Sequence, residues 1–321
     1  MEYLIKYSII AISLILLEII YFPIAKHYRI GSEVTPRSSH NKFNITGAGF
    51  IFYCASLLFY CIINTTLPNS FTLMLIGATV LAVISFYDDI KNITPWFRLV
   101  VHIAVVAITF NQIFIDGNYE IFLLILICGV GFINAFNFMD GINGILVGYS
   151  LVTLSTLLYC FFDIADNGMI QFIITLIIST VIFGVLNFRK TAKCFAGDVG
   201  AIVMGFFILY LITYFILQTS EASVITFLIV YAIDTVFTIF QRLFAGENIF
   251  LPHRHHLYQI LVNQWGIQHY KVSIYYASIQ LLINIVYLLM PEDFKWSYFI
   301  IITIVLTILY FILKRAPLSR N

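Results

Sequence analysis

Two aspartates, Asp88 and Asp89, stand side by side in "FYDDIKNITPWFRLV", directly after an apolar run. At about 4 Å and an effective dielectric near 20, two like unit charges repel by roughly 4 kcal/mol. A cation must therefore stand close, and Lys91 or a bound Mg²⁺ would serve. In "NAFNFMDGINGI", Asn134, Asn137 and Asp140 recur at every third position and so share one helix face, while Gly141 and Gly144 allow a tight turn or close approach of a ligand. Amides and an acid on an otherwise apolar helix must be satisfied by something. In "CFAGDVGAIVMGF", a Gly-Asp-Val-Gly turn opens a helix, and helix N-termini attract anions. Asp198 can cap that helix or bridge a metal to a phosphate, and Phe195 can stack on a base or simply pack. "PHRHHLYQ" sets His253, Arg254, His255 and His256 in a row, which suits a zinc site, a phosphate-binding patch or a solvated loop. Zinc is the weaker reading: no cysteine accompanies the histidines, and the other candidate ligands are oxygen donors, which suit magnesium. Each segment alone also reads as an ordinary polar helix end; four together do not.

These residues are carried by a very apolar chain. It is 61% hydrophobic and 10% charged, with 31 Phe against 17 Lys plus Arg, in 321 residues. Its mean hydropathy of +0.97 is that of an integral membrane protein. Runs long enough to cross the hydrocarbon fall at about 3–25, 47–66, 70–87, 97–115, 119–139, 144–162, 169–188, 199–218, 221–241, 272–290 and 296–313. The expectation is an all-α polytopic bundle of about eleven transmembrane helices, forming one domain over 1–321. The first run is too long for a signal-peptide core and lacks a cleavage site, so it reads as a retained helix. Alternating short segments of a β-barrel are absent, and the five cysteines form no disulfide framework.

Positive charge gives the orientation. Lys26, Arg29, Arg37, Lys42, Lys91, Arg98, Arg189, Lys190, Lys193, Arg242, Arg254, Lys271, Lys314, Arg315 and Arg320 fall on one side, and only Lys6 and Lys295 on the other. The N-terminus is therefore expected outside and the C-terminus in the cytoplasm, with all four polar segments on the cytoplasmic face. A membrane enzyme with a cytosolic substrate needs one such decorated face, whereas an ion- or proton-coupled transporter, the alternative, places polar groups near mid-membrane and on both faces. A phospholipid head-group transferase would need an Asp-x-x-Asp-Gly pattern whose full spacing is missing. Glu18 and His102 read as satisfied interior groups; Asp234 either supports the site, through Arg242, or pairs inside the bundle. Carboxylates, a divalent ion and histidines facing the cytosol suit a nucleotide diphosphate reacting with a lipid phosphate, because two anions must be neutralised to meet.

The order and spacing of "RSSH", "FYDDIKNITPWFRL", "NAFNFMDGING", "AKCFAGDVGA" and "PHRHHLYQ", from about Arg37 to Gln259, resemble the polyprenyl-phosphate N-acetylhexosamine-1-phosphate transferases. The resemblance implies transfer of a sugar 1-phosphate from a UDP-N-acetylhexosamine to undecaprenyl phosphate, with release of UMP and Mg²⁺ as cofactor. It implies Asp88, Asp89, His255 and His256 as catalytic residues and Asp198 and Asp88 as metal ligands. Asn137, Asp140, Asn187, Phe195, His253, Arg254 and Lys91 fall to substrate binding. It further implies the lipid bilayer of a bacterial inner membrane as surroundings, a homodimer as an assembly open to the chain, and no nucleic-acid partner. "FNIT" at Phe43 to Thr46 stands where many relatives carry Pro-Thr-Pro-Arg, and Asn143 where many carry a second aspartate. The "HRHHLYQ" form is closer to the O-antigen and capsule-initiating branch, which points to UDP-GlcNAc or a 6-deoxy relative.

Overall fold

The computed structural model describes residues 2–32, 44–63, 65–91, 93–249, 251 and 253–315. The "RSSH" motif, Arg37, Lys42, Phe43 and Arg320 lie outside the described residues. In chain order the helices are α1 (Glu2–His27), α2 (Ile51–Ile62), α3 (Asn69–Lys91), α4 (Pro95–Thr109), α5 (Asn111–Ile115), α6 (Tyr119–Met139) and α7 (Ile145–Asp163). There follow α8 (Asn167–Asn187), α9 (Gly197–Thr219), α10 (Ile229–Phe244), α11 (Leu257–Asn263), α12 (His269–Leu289) and α13 (Glu292–Arg315). Among the described residues nine helices are long and apolar enough to span a membrane, counting Ala222–Phe244 as one, and Ala48–Ile62 and Pro95–Thr109 are shorter apolar helices. These eleven coincide with the eleven expected runs. Two differ in detail. The run at 97–115 breaks into α4 and α5 around Phe110, and the run at 221–241 begins as a 3₁₀ turn, Ala222–Leu228, before becoming α10.

Helix α9 is the axis. It is apolar all round and 89% of its central window is buried, as expected of a helix that meets protein on every side, whereas α13 buries 6% and turns its apolar surface to lipid. Helices α3 and α6 flank α9. The close approach of the 3₁₀ turn Ala48–Phe50 to α9 demands glycine: a Cβ on Gly49 would lie 2.5 Å from the Gly200 Cα. A two-stranded antiparallel pair, Gly31–Ser32 with Asn44–Ile45, is bridged at Ile45 to Cys194, so the segment before α2 lies beside the segment before α9.

Polar groups inside the bundle are mostly paired, as apolar surroundings require. Tyr149 donates to Gln280 Oε1 (2.9 Å), Gln280 to Asn284 Oδ1 (2.7 Å) and Asn284 to Thr156 (2.8 Å). His102 meets Asn134 at 3.2 Å, which satisfies it as expected and takes Asn134 into the interior. Glu18 departs from expectation. It is buried, both carboxyl oxygens find no hydrogen-bond partner among the described residues, and it borders an apolar groove of about 540 Å³ between α1 and α8 with Lys193 on its lining.

Candidate active site

The site forms where the C-terminal end of α3, the C-terminal end of α6 and the N-terminal end of α9 meet. The adjacent aspartates at the end of α3 are one residue apart on a helix and so face different ways. Asp88 is buried and takes the Arg98 guanidinium and the Ile93 N–H. Asp89 reaches the N-terminus of α9, where Oδ1 accepts the Asp198 N–H (3.0 Å) and Oδ2 the Val199 N–H (3.3 Å). A helix N-terminus carries unpaired N–H groups and a partial positive charge, so a carboxylate from another helix is a natural partner. Of the two roles open to Asp198, the cap is supplied by Asp89, and Asp198 is left to face the cleft with Arg98 against its carboxylate. Gly197 makes the junction feasible: its φ is +73°, and a Cβ there would lie 2.5 Å from Asp89 Oδ2.

The cation beside the paired aspartates is Arg98, which touches both Asp88 and Asp198. Lys91 does not supply it; it is exposed, with its ammonium 5.8 Å from the centre of the Tyr87 ring. The chain bends between α3 and α4, and Pro95 at the first turn of α4 starts the helix that brings Arg98 back over the end of α3.

A cleft of about 220 Å³ opens at this junction, lined by Asp89, Asp140 and Asp198 together with Asn137, Asn187 and Phe195, and further by Thr46, Gly141, Asn143, Gly197 and His269. Of the residues expected in the site, Asp89, Asp198, Asn137, Asp140, Asn187 and Phe195 are therefore brought together. Asn187 also has a structural duty, accepting the Gly144 N–H (2.8 Å) and donating to the Cys194 carbonyl (2.9 Å), which ties the α7 entry to the segment carrying Phe195. Asn143 donates to the carbonyls of Arg189 (3.1 Å) and Lys190 (3.4 Å). A carboxylate there would turn acceptors against acceptors, a physical reason for the amide. Asp140 is held well above the usual carboxylate range by burial and by the charges of Asp198 and Asp89.

Asp88, Lys91, His253, Arg254, His255 and His256 do not line this cleft. Asp88, expected among the metal ligands, lies behind the cleft against Arg98. His255 is exposed, and its backbone N–H faces His253 Nδ1 at 3.4 Å. His253 is pushed down to about 3, chiefly by burial and further by the Arg242 guanidinium nearby, so it is a neutral ring at neutral pH. His256 is buried with Nδ1 at 3.3 Å from Asp234. Arg254 has one guanidinium nitrogen, Nη2, buried and without an acceptor among the described residues. The histidine segment nonetheless abuts the site. Tyr258 donates to the Phe138 carbonyl (2.9 Å), the Phe138 ring faces those of His253 (6.5 Å) and His256 (6.3 Å), and Gly141 leaves room for the Tyr258 hydroxyl. Arg242 does not pair with Asp234; it holds Glu247 (2.9 Å) and the carbonyls of Asn248, Ile249 and Leu251.

Sequence reasoning missed Arg98, His269 and Thr46. Arg98 was visible only as a topogenic charge, and its place ten residues after the first aspartate, just past a helix-starting proline, was the signal available. No comparable signal marked His269 or Thr46, which the fold alone brings to the cleft.

No group of three or more His, Cys, Asp or Glu side chains with metal-holding geometry occurs among the described residues. The donor set still fits magnesium. That ion keeps several waters and takes one or two carboxylates plus substrate phosphates, and here three carboxylates crowd one cleft, with Asp140 destabilised as an anion by the other two.

Similar sequences occur among known transferases. The glycosyl transferase family 4 profile matches residues 71–216. The chain is 26% identical over 296 residues to a probable undecaprenyl-phosphate N-acetylglucosaminyl 1-phosphate transferase of Bacillus subtilis (strain 168), covering 84% of this chain and 80% of the relative. It is 26% identical to the undecaprenyl-phosphate alpha-N-acetylglucosaminyl 1-phosphate transferase of Escherichia coli (strain K12), covering 74% of this chain and 71% of that one. It is 25% identical to the phospho-N-acetylmuramoyl-pentapeptide-transferase of Lactobacillus acidophilus, covering 90% and 99%.

Proposed function

We propose that the chain is a member of glycosyl transferase family 4, whose profile matches residues 71–216, and that it transfers a sugar 1-phosphate from a UDP-N-acetylhexosamine, with GlcNAc as the sugar, to undecaprenyl phosphate, releasing UMP. The observation that carries the reading is the convergence of Asp89, Asp140 and Asp198, from three helices far apart in sequence, on one cleft at the end of a membrane bundle. The same end carries Lys26, Arg29, Lys91, Arg98, Arg189, Lys190 and Lys193, while Lys6 and Lys295 sit at the other, which supports a cytoplasmic face for the cleft. That is where a nucleotide sugar is available, and a lipid phosphate reaches it from the inner leaflet. A transporter is not supported.

In this reading Phe195 and Asn137 receive the nucleotide, with the ring offering a stacking face and the amide a donor and acceptor. Asp198 and Asp140 would hold Mg²⁺, which supplies charge neutralisation of the diphosphate and of the departing UMP. Arg98, already against Asp198, lends the same end of the cleft a fixed positive charge for the transferring phosphoryl group. Asp89 holds the N-terminus of α9 in place and so fixes where Asp198 points. The lipid phosphate oxygen attacks the sugar-bearing phosphorus, a new P–O bond forms, and the bond to UMP breaks. The test is purified protein with UDP-GlcNAc, undecaprenyl phosphate and Mg²⁺, following UMP. Release that requires both substrates is expected; no release with any UDP-N-acetylhexosamine overturns the reading.

A further inference from the structure

Outside the cleft, one of the most heavily used polar groups among the described residues is the Asp234 carboxylate, buried in the N-terminal half of α10. Its Oδ1 accepts from the Leu257 N–H (2.8 Å), and His256 Nδ1 and the Thr238 hydroxyl stand at 3.3 Å; its Oδ2 accepts from the Tyr276 hydroxyl (2.7 Å) and the Tyr258 N–H (3.3 Å). Every neighbour except the imidazole can only donate or is free to donate, so this is an ionised acceptor, and the imidazole nitrogen facing it must be the one bearing hydrogen. The other ring nitrogen, Nε2, is buried and has no hydrogen-bond partner among the described residues. A buried ring nitrogen held open in this way is costly unless something else uses it.

Resting on the transferase reading, we infer that Asp234 is a positioning residue: with Tyr276 it fixes His256 in the Nδ1–H form and at one orientation, so that Nε2 is presented beside the α6 end of the cleft. The geometry ties the parts together. His256 stacks on Tyr258 (5.7 Å, 19°), and Tyr258 in turn holds the Phe138 carbonyl, one residue from Asn137 and two from Asp140. Helices α10, α11 and α12 thus converge on one imidazole through a single carboxylate. A plain brace for the start of α11 would explain the Leu257 and Tyr258 N–H bonds, yet it leaves the imidazole and the Tyr276 hydroxyl without purpose.

Two measurements decide it. The first reads the ring directly: ¹⁵N shifts of histidine-labelled full-length protein in nanodiscs, with the His256 signals identified by their loss in His256→Gln. Wild type is expected to show Nδ1 protonated and Nε2 bare, and Asp234→Asn to lose that single form. The second is a double-mutant cycle on UMP release. Asp234→Asn is expected to lower kcat about 10- to 100-fold in the wild type, but by less than about twofold in His256→Gln, because a residue that acts only through another has no further effect once the other is gone. Tyr276→Phe, the milder change, falls between. Additive losses, or an Nε2-protonated ring in wild type, overturn the inference. If Asp234→Asn does not fold, Tyr276→Phe completes the same cycle. Should wild type release no UMP, the transferase reading fails, and the ring measurement still decides whether Asp234 sets His256.

Discussion

The two ends of the bundle both carry acids at helix starts, and they use them differently. At the end away from the cleft, Asp166 caps α8 from its own sequence neighbourhood, accepting the Met169 N–H (3.0 Å) and the Tyr214 hydroxyl (2.9 Å). Glu221 likewise accepts from Ser223 two residues on and faces Lys295 at 3.8 Å. Both of these acids cap the turn next to them in sequence. At the cleft end the cap of α9 arrives from Asp89, 109 residues earlier in the chain, and two further carboxylates, Asp140 and Asp198, stand in the same cleft beyond what any helix end needs. Structural capping explains one end; at the other there is a surplus of charge, and surplus buried charge persists in proteins where it serves a ligand.

The contrast breaks most decisively at Asp198. Asp198→Asn keeps the shape of the α9 turn and removes only charge, so UMP release should fall roughly 10²- to 10³-fold while thermal unfolding stays where it was. Equal losses in both would make Asp198 a structural acid like those opposite. Asp89→Asn should do two things at once: activity drops about 10²-fold, and the protein loses about 1 kcal/mol as the α9 cap weakens. Asp166→Ala is the control from the other end, with about 1 kcal/mol lost in denaturant titration and kcat unchanged. A fall in kcat there would dissolve the distinction between the two ends.

A subtler test uses pH. Asp140 is raised above 3.8 in the folded protein, so between that value and its folded one the native state holds more protons than the unfolded chain. Its contribution to stability is present below the ordinary carboxylate range and is lost as pH rises through the folded value. The thermal midpoint of the metal-free protein should therefore decline with rising pH across that window, Asp140→Asn should flatten the decline, and millimolar Mg²⁺ should reverse it, since a ligand that binds the native state stabilises it. A midpoint indifferent to both would remove magnesium from the cleft. The smallest effect belongs to Lys91→Ala, which should alter UMP release by less than about twofold, as expected of an exposed charge outside the cleft.

Much of this was readable before any coordinates. Apolar runs set by the thickness of a bilayer fixed eleven helices, because nothing else satisfies a backbone in lipid, and Gly197 with Asp198 announced a turn into a helix. The motif residues Asp89, Asn137, Asp140, Asn187, Phe195 and Asp198 do share one cleft. Where the sequence left alternatives open, space chose between them. Asp88 and Asp89 part company on the helix surface, the cation beside Asp88 is Arg98 from the next helix, and Asp234, of its two readings, pairs inside the bundle with His256 and Tyr276.

The sequence by itself determined that this chain lives in a membrane, where its helices lie and which residue types gather at one end, since hydropathy and loop charge are local properties that a single strand of text contains. Which carboxylate caps, which pairs with an arginine and which is left facing the cleft was decided only by tertiary structure. Those roles depend on side-chain direction and on donors from helices a hundred residues apart, and electrostatic partnership falls off within a few ångströms of space whatever the distance along the chain.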